Sequence, residues 1–170
     1  KNKLAMFLEV AQRAEAQQKT EPKNPAGWYW LAYALGRYSQ GISVAKALAQ
    51  GLGAKVKHAL EMAIRLEPKH ADAHIGLGTF HAEVIDKVGS LLGRTQGASK
   101  DAGLACFKTA LKLNPASAIA RVEYANGLVM LEGEKKMKEA EKLYAEAADC
   151  EPLDAMERLD VEMAKAELED

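Results

Sequence analysis

The sequence predicts an all-α fold: a right-handed array of about three helical hairpins, an α-solenoid, with inserted loops and an extra helix at each end. One pattern of residue types, fixed relative to a proline, carries that expectation. In Glu67 to His81 (EPKHADAHIGLGTFH), Pro68 is followed by the bulky His74, then Leu77, Gly78 and His81, and is preceded by Leu60 and Ala63. The same ruler laid at Pro22 gives Trp28, Leu31, Ala32 and Leu35. At Pro115 it gives Arg121, Tyr124, Ala125 and Leu128, preceded by Gly103, Phe107 and Ala110. Looking back from Pro152 it gives Ala140, Tyr144 and Ala147. The forward half from Pro152, with Arg158 and Val161, departs from the pattern and reads as a capping helix.

This order resembles the tetratricopeptide pattern, W-x2-L-G-x2-Y, then A-x3-F, then Pro, which places a small residue where two helices cross closely. The spacing of the prolines adds a second observation. Pro22 and Pro68 lie 46 residues apart, Pro68 and Pro115 47, and Pro115 and Pro152 only 37. The standard unit is about 34 residues, so the first two units each carry an insertion of roughly a dozen, in the same place. The expected organisation is one domain over 1–170: an N-terminal helix (1–21), units 22–68, 69–115 and 116–152, and a C-terminal capping helix (153–170).

Taken in order, residues 3–18 place Leu4, Phe7, Leu8, Ala11 and Ala14 at helical spacing, like the second helix of an incomplete repeat. Two prolines in EPKNP (Glu21 to Pro25) break that helix. Helix 26–38 turns Trp28, Leu31 and Leu35 to the core, while Tyr29, Tyr33 and Arg37 form another face. The insertion Gly41 to Gly53 follows, its Val44, Leu48 and Leu52 suited to a short helical turn, before helix 54–66. Helix 71–86, a glycine-rich irregular piece and helix 101–113 repeat the arrangement. Gly89, Gly93 and Gly97 are spaced for a close helix crossing, or serve as loop residues. Helices 117–131 and 136–149 form the third pair. In the latter, Lys135 with Glu139 and Lys142 with Glu146 read as weak surface pairs. The last helix, 154–169, is expected to carry Leu153, Met156, Leu159, Met163 and Ala166 on its apolar side.

With 170 residues and 48% hydrophobic content, the chain is able to bury a substantial core. Twenty-three basic against 24 acidic residues leave a net charge of −1, which argues against a general grip on nucleic acid. No apolar run approaches the roughly 18 residues of a membrane span. The cytoplasm is the favoured compartment, and export follows if a leader has been removed ahead of Lys1. Cys106 and Cys150 lack metal or redox spacing and read as buried free thiols.

The insertions narrow the resemblance. In YALGRYSQGISVAKALAQGLGAKVKHALEMAIRLEP, the ALGR, the delayed second helix and the ALEMAIRLEP ending resemble the regulator of microtubule dynamics proteins. HIGLGTFHAEVIDKVGSLLG is similar to their second repeat. The likeness covers about Trp28 to Pro115, departs at Thr79 and Phe80, where the relatives tend to place Arg and Trp, and fades in the third repeat. It implies a tetratricopeptide-like fold and a link to microtubules.

Catalytic and metal motifs are sparse. His70, His74 and His81 with Asp72 or Glu83 are the material for a metal-dependent or small-molecule enzyme, the alternative function. Against it, His74 and His81 take bulky core positions and His70 precedes the helix. GRTQGASKDAG (Gly93 to Gly103) lacks the Gly-x4-Gly-Lys-Ser/Thr spacing of a phosphate loop. No G-x-S-x-G is present and neither cysteine has a local His partner. The chain is read as not an enzyme, with no cofactor and no metal assigned.

The first helices of stacked repeats present an inner face. Aligning the units sets Tyr29, Tyr33 and Arg37 beside Ile75, Thr79 and Glu83, then Val122, Asn126 and Met130, with Trp30 and Glu123 at the edge. Rigid aromatics with a forked guanidinium suit capture of a protein or peptide segment. The candidate partner-binding residues are Tyr29, Tyr33, Arg37, Ile75, Thr79, Glu83, Glu123 and Asn126. Covering of this face by the terminal helices is the competing structural reading. The Lys and Asn run of carboxylate-clamp domains is missing, so an extended or helical peptide of modest net charge is expected. A homo-oligomeric scaffold, self-associating through Gly41 to Gly53 and Gly89 to Gly97, is the other alternative.

Overall fold

The computed structural model describes residues 2–169. Their regular elements are α1 (Lys3–Thr20), α2 (Pro25–Gln40), α3 (Val44–Ala49), α4 (Leu52–Leu66), α5 (Ala71–Thr95), α6 (Lys100–Leu113), α7 (Ala118–Glu132), a 3-10 turn (Gly133–Lys136), α8 (Met137–Ala148) and α9 (Ala155–Glu169). The all-α hairpin array is the observed fold. Helices α2 and α4, α5 and α6, and α7 and α8 pack as antiparallel pairs, and α2, α5, α7 and α9 neighbour one another in that order.

Local chemistry fixes the helix starts. Asn24 accepts from the Ala26 N–H with Pro25 at the first helical position, and Ser43, Ser99 and Ser117 cap α3, α6 and α7 in the same manner. Ser117 is itself buried and its Oγ accepts from the Ala120 N–H at 3.1 Å. Ser117→Ala is expected to cost about 1–2 kcal/mol of unfolding free energy, because the orphaned N–H has no water to turn to. Urea denaturation checks it, and an unchanged midpoint would deny the cap its role.

The core is made where large residues meet small ones. Phe107 on α6 is fully buried, stacked on Tyr124 at 5.5 Å, and inserted between Gly78 of α5 and Gly127 of α7. A methyl group on either glycine would fall within 2.8 Å or 2.5 Å of the ring, respectively. The bulky position six residues after each proline is used differently in each unit. Trp28 meets His58 edge-on at 5.7 Å, His74 hydrogen-bonds the Pro68 carbonyl, and Arg121 reaches the Ser117 carbonyl and Glu146.

Several expectations need correction. The second insertion is largely helical, since α5 runs on to Thr95 across a break at Gly89, whose φ of 79° only glycine adopts without strain. Gly89 and Gly97 are therefore backbone turns rather than a helix-crossing seam, and only Gly93 is buried, against Ile85. Leu52 opens α4 instead of belonging to the short α3. The 3-10 turn delays α8, so Lys136, not Lys135, pairs with Glu139, at 2.7 Å. His74 is only half-buried, and both cysteines are half-buried rather than enclosed. On α9 the seated residues are Val161 and Ala164, while Met156 (66% exposed), Leu159, Met163 and Ala166, and Leu153 (86%) just before the helix, face outward.

Candidate functional site

The period of α2 sets Tyr29, Tyr33 and Arg37 four apart on one face. Tyr29, Trp30 and Tyr33 contact one another with ring centroids 5.2–6.3 Å apart, and Tyr29 meets His70 at 4.8 Å. These rings touch, so they form a platform rather than a cage around a cation. The Arg37 guanidinium lies over Tyr33 at 5.4 Å and donates to Gln40. Burial, then the Asp72 charge, pushes the Tyr29 phenol upward, keeping it protonated and neutral.

Helices α5 and α7 supply the opposite wall. Thr79 donates its hydroxyl to Glu123 at 3.2 Å, Gln40 donates to Glu83 at 2.6 Å, and Lys87 lies 3.8 Å from Glu83. Asn126 accepts the Tyr144 hydroxyl, so a residue on α8 fixes it from behind. Burial raises the Glu123 carboxyl above its usual range, opposed by the Thr79 hydrogen bond and the Arg37 charge. Folded Glu123 thus keeps its proton to higher pH than the unfolded chain does, and its contribution to stability falls as pH rises through that window. Glu123→Gln retains an acceptor for Thr79 and is expected to raise the melting temperature at pH 7, with the gain vanishing below the ordinary glutamate range. A lower melting temperature at pH 7 would mean that the Arg37 attraction outweighs burial.

All eight candidate residues line one open cavity of about 410 Å3 between α2, α5 and α7. Ile75 is the buried one, set in the wall against Ala110 and Ala120. Lys3, Leu4 and Phe7 of α1 approach the Arg37 edge, yet Trp30, Tyr33 and Arg37 stay exposed. One part of this surface escaped sequence reasoning. The cavity lining also takes in Val44 and Leu48 of α3 together with Phe80 and Val84 of α5, and the four-residue spacing of Val44 and Leu48 was the available signal. Outside that lining, Leu159 and Met163 on α9 are exposed and stand seven and eleven positions after Pro152, the offsets that yield Tyr29 and Tyr33 from Pro22.

The histidines are each engaged separately. His70 Nδ1 accepts from the Ala73 N–H as the cap of α5, and His74 Nε2 meets the Pro68 carbonyl. His81 is buried, and its Nδ1 accepts from the Ser99 N–H at 3.0 Å, tying the second insertion to α5. Burial and Lys57 lower its pKa, favouring the neutral ring that this acceptor role needs. Among the described residues no three His, Cys, Asp or Glu side chains are grouped to hold a metal ion.

Comparison with known proteins decides the family. The regulator of microtubule dynamics protein 1-3 family profile matches residues 1–170. The chain belongs to that family. Its extent exceeds the Trp28 to Pro115 likeness legible by eye, and takes in the third repeat and both end helices. Among curated proteins no match was found. A crystal structure of a thermophilic TPR protein in Thermus thermophilus superposes with a TM-score of 0.70 at 21% identity, over 96% of this chain and 75% of that one. At that identity the likeness establishes the fold. Fold and family together point this member of the regulator of microtubule dynamics family toward protein-interaction scaffolding, and such helical arrays are typically non-enzymatic. Among the described residues no helix is long and apolar enough to cross a membrane.

Proposed function

We propose that the chain is a non-catalytic interaction module, one domain with repeat units 22–68, 69–115 and 116–152, that seats a protein segment on its inner face. The observation that supports this reading is the convergence of eight side chains from three helices on one open cavity, with Tyr33 39% exposed at its mouth. Tyrosine offers area at low entropic cost, Arg37 offers a fork to backbone carbonyls, and Thr79, Glu83 and Asn126 supply polar contacts whose positions neighbouring side chains already hold. The family name connects relatives with microtubule dynamics, so microtubule-associated proteins are among the segments to test.

Affinity capture from cells of the source organism, repeated with Tyr33→Ala, tests the proposal when followed by hydrogen exchange on the captured complex. A partner retained by the native chain alone, protecting amides of α2, α5 and α7, is the expected result. Equal capture by both proteins would turn attention to the outer helices. Exposure of Val44, Leu48, Leu91 and Leu92 on the two insertions favours self-association as a second reading, which sedimentation across a concentration range would reveal as a rising mass.

A further inference from the structure

We infer that the inner groove selects a segment that carries a basic side chain between apolar anchors, an inference that rests on the groove being the binding surface. Asp72, Glu83 and Glu123 line the cavity with Arg37 and Lys87 as the cations. Lys87 is taken up by Glu83 at 3.8 Å. Asp160 of α9 joins the same field, close enough to Asp72 and Glu123 to be coupled to both. Three successive inner helices thus contribute Asp72, Glu123 and Asp160, with Arg37 the cation among the described residues that acts on Glu123.

Like charges gathered on a partly desolvated wall repel one another: burial first, then Glu83 and Asp160, holds the Glu123 carboxyl above its usual range, while Asp160 is raised by burial, then by Glu157 and Asp154 beside it, and last by Asp72. An incoming Lys or Arg relieves the repulsion, whereas an acidic segment adds to it. The flanks of this stripe are apolar. At one side the cavity lining takes in Val44 and Leu48 of α3 with Phe80 and Val84 of α5, an apolar stretch suited to a hydrophobic side chain. At the other, Leu159 and Met163 of α9 stand exposed at the repeat offsets of Tyr29 and Tyr33, with Met156 exposed one turn before them. Neighbouring helix axes lie about 8–10 Å apart, so α2 to α9 spans roughly 25–30 Å, the length of about eight or nine extended residues.

Selection of a displayed random dodecamer library on the full chain tests the inference. The expected pool is enriched in Lys or Arg flanked by apolar residues, and a synthetic member of it loses about tenfold in affinity when norleucine replaces that basic residue. The Glu123→Gln, Asp160→Asn double variant, which keeps the shape of both side chains, should bind the Lys and norleucine peptides alike. A pool without basic enrichment, or equal binding of the two peptides by the native chain, overturns the charge inference. Loss of binding in Tyr33→Ala would then still uphold the groove. A pool indifferent to Tyr33→Ala, or no pool at all, sinks the groove reading and this inference with it.

Discussion

Phe107→Ala is expected to lower the unfolding free energy by about 3–5 kcal/mol, the loss associated with a fully enclosed aromatic whose neighbours cannot close the gap. The neighbours here are helices rather than flexible side chains. Gly78 and Gly127 bring the α5 and α7 backbones against the two edges of the ring, and Tyr124 stacks on its face, so truncation opens a void at the junction of two repeats. The complementary change, Gly127→Ala, inserts a methyl group 2.5 Å from the Phe107 ring and is expected to cost about 1–3 kcal/mol through overpacking. Because Phe107→Leu makes room for that methyl, the double variant Gly127→Ala, Phe107→Leu should be less destabilised than the two single changes summed. Urea titration of the four proteins measures this, and additive losses would show that the two sites do not share one packing contact.

The second large effect concerns binding. Tyr33→Ala is expected to weaken a groove ligand by about 2 kcal/mol, roughly thirtyfold, as removal of an aromatic hot spot does. Its cost to stability should be about 1 kcal/mol or less, because Tyr33 sits at the mouth and gives up its contacts with Tyr29, Trp30 and Arg37 rather than core packing. Fluorescence anisotropy of a selected peptide, read beside thermal melts, separates the two. Unfolding on a scale that explains the binding loss would make Tyr33 a structural residue.

The array was legible because its packing repeats. Small residues such as Gly78 and Ala125, set ten positions after a proline, record a helix crossing directly in the sequence. What escaped is what depends on the ends and the insertions. The apolar residues of α9 read as a face to be buried, yet α8 and α7 receive Val161 and Ala164 instead, since hydrophobic spacing alone does not say which side a last helix finds a neighbour. The helical stretch after Gly89 was hidden because Gly89 breaks the helix with a φ of 79°, which marks a turn in the sequence, and a second helical run resumes beyond it as far as Thr95. His81 fitted a core position, but its latch to the Ser99 N–H joins residues 18 apart through a loop whose path no local pattern encodes. Within the candidate site, the first-helix rows gave the side chains that line the cavity. The α3 side of the lining came from tertiary packing.

The central claim, that a protein segment occupies the inner face, is tested most directly by mapping amide and methyl NMR shifts while a library-selected peptide is titrated into the full chain. The account predicts that the largest changes cluster at Tyr33 and Arg37 on α2, Thr79 and Glu83 on α5, and Glu123 and Asn126 on α7. Changes confined to α4, α6 and α8, with the inner face unmoved, would contradict it.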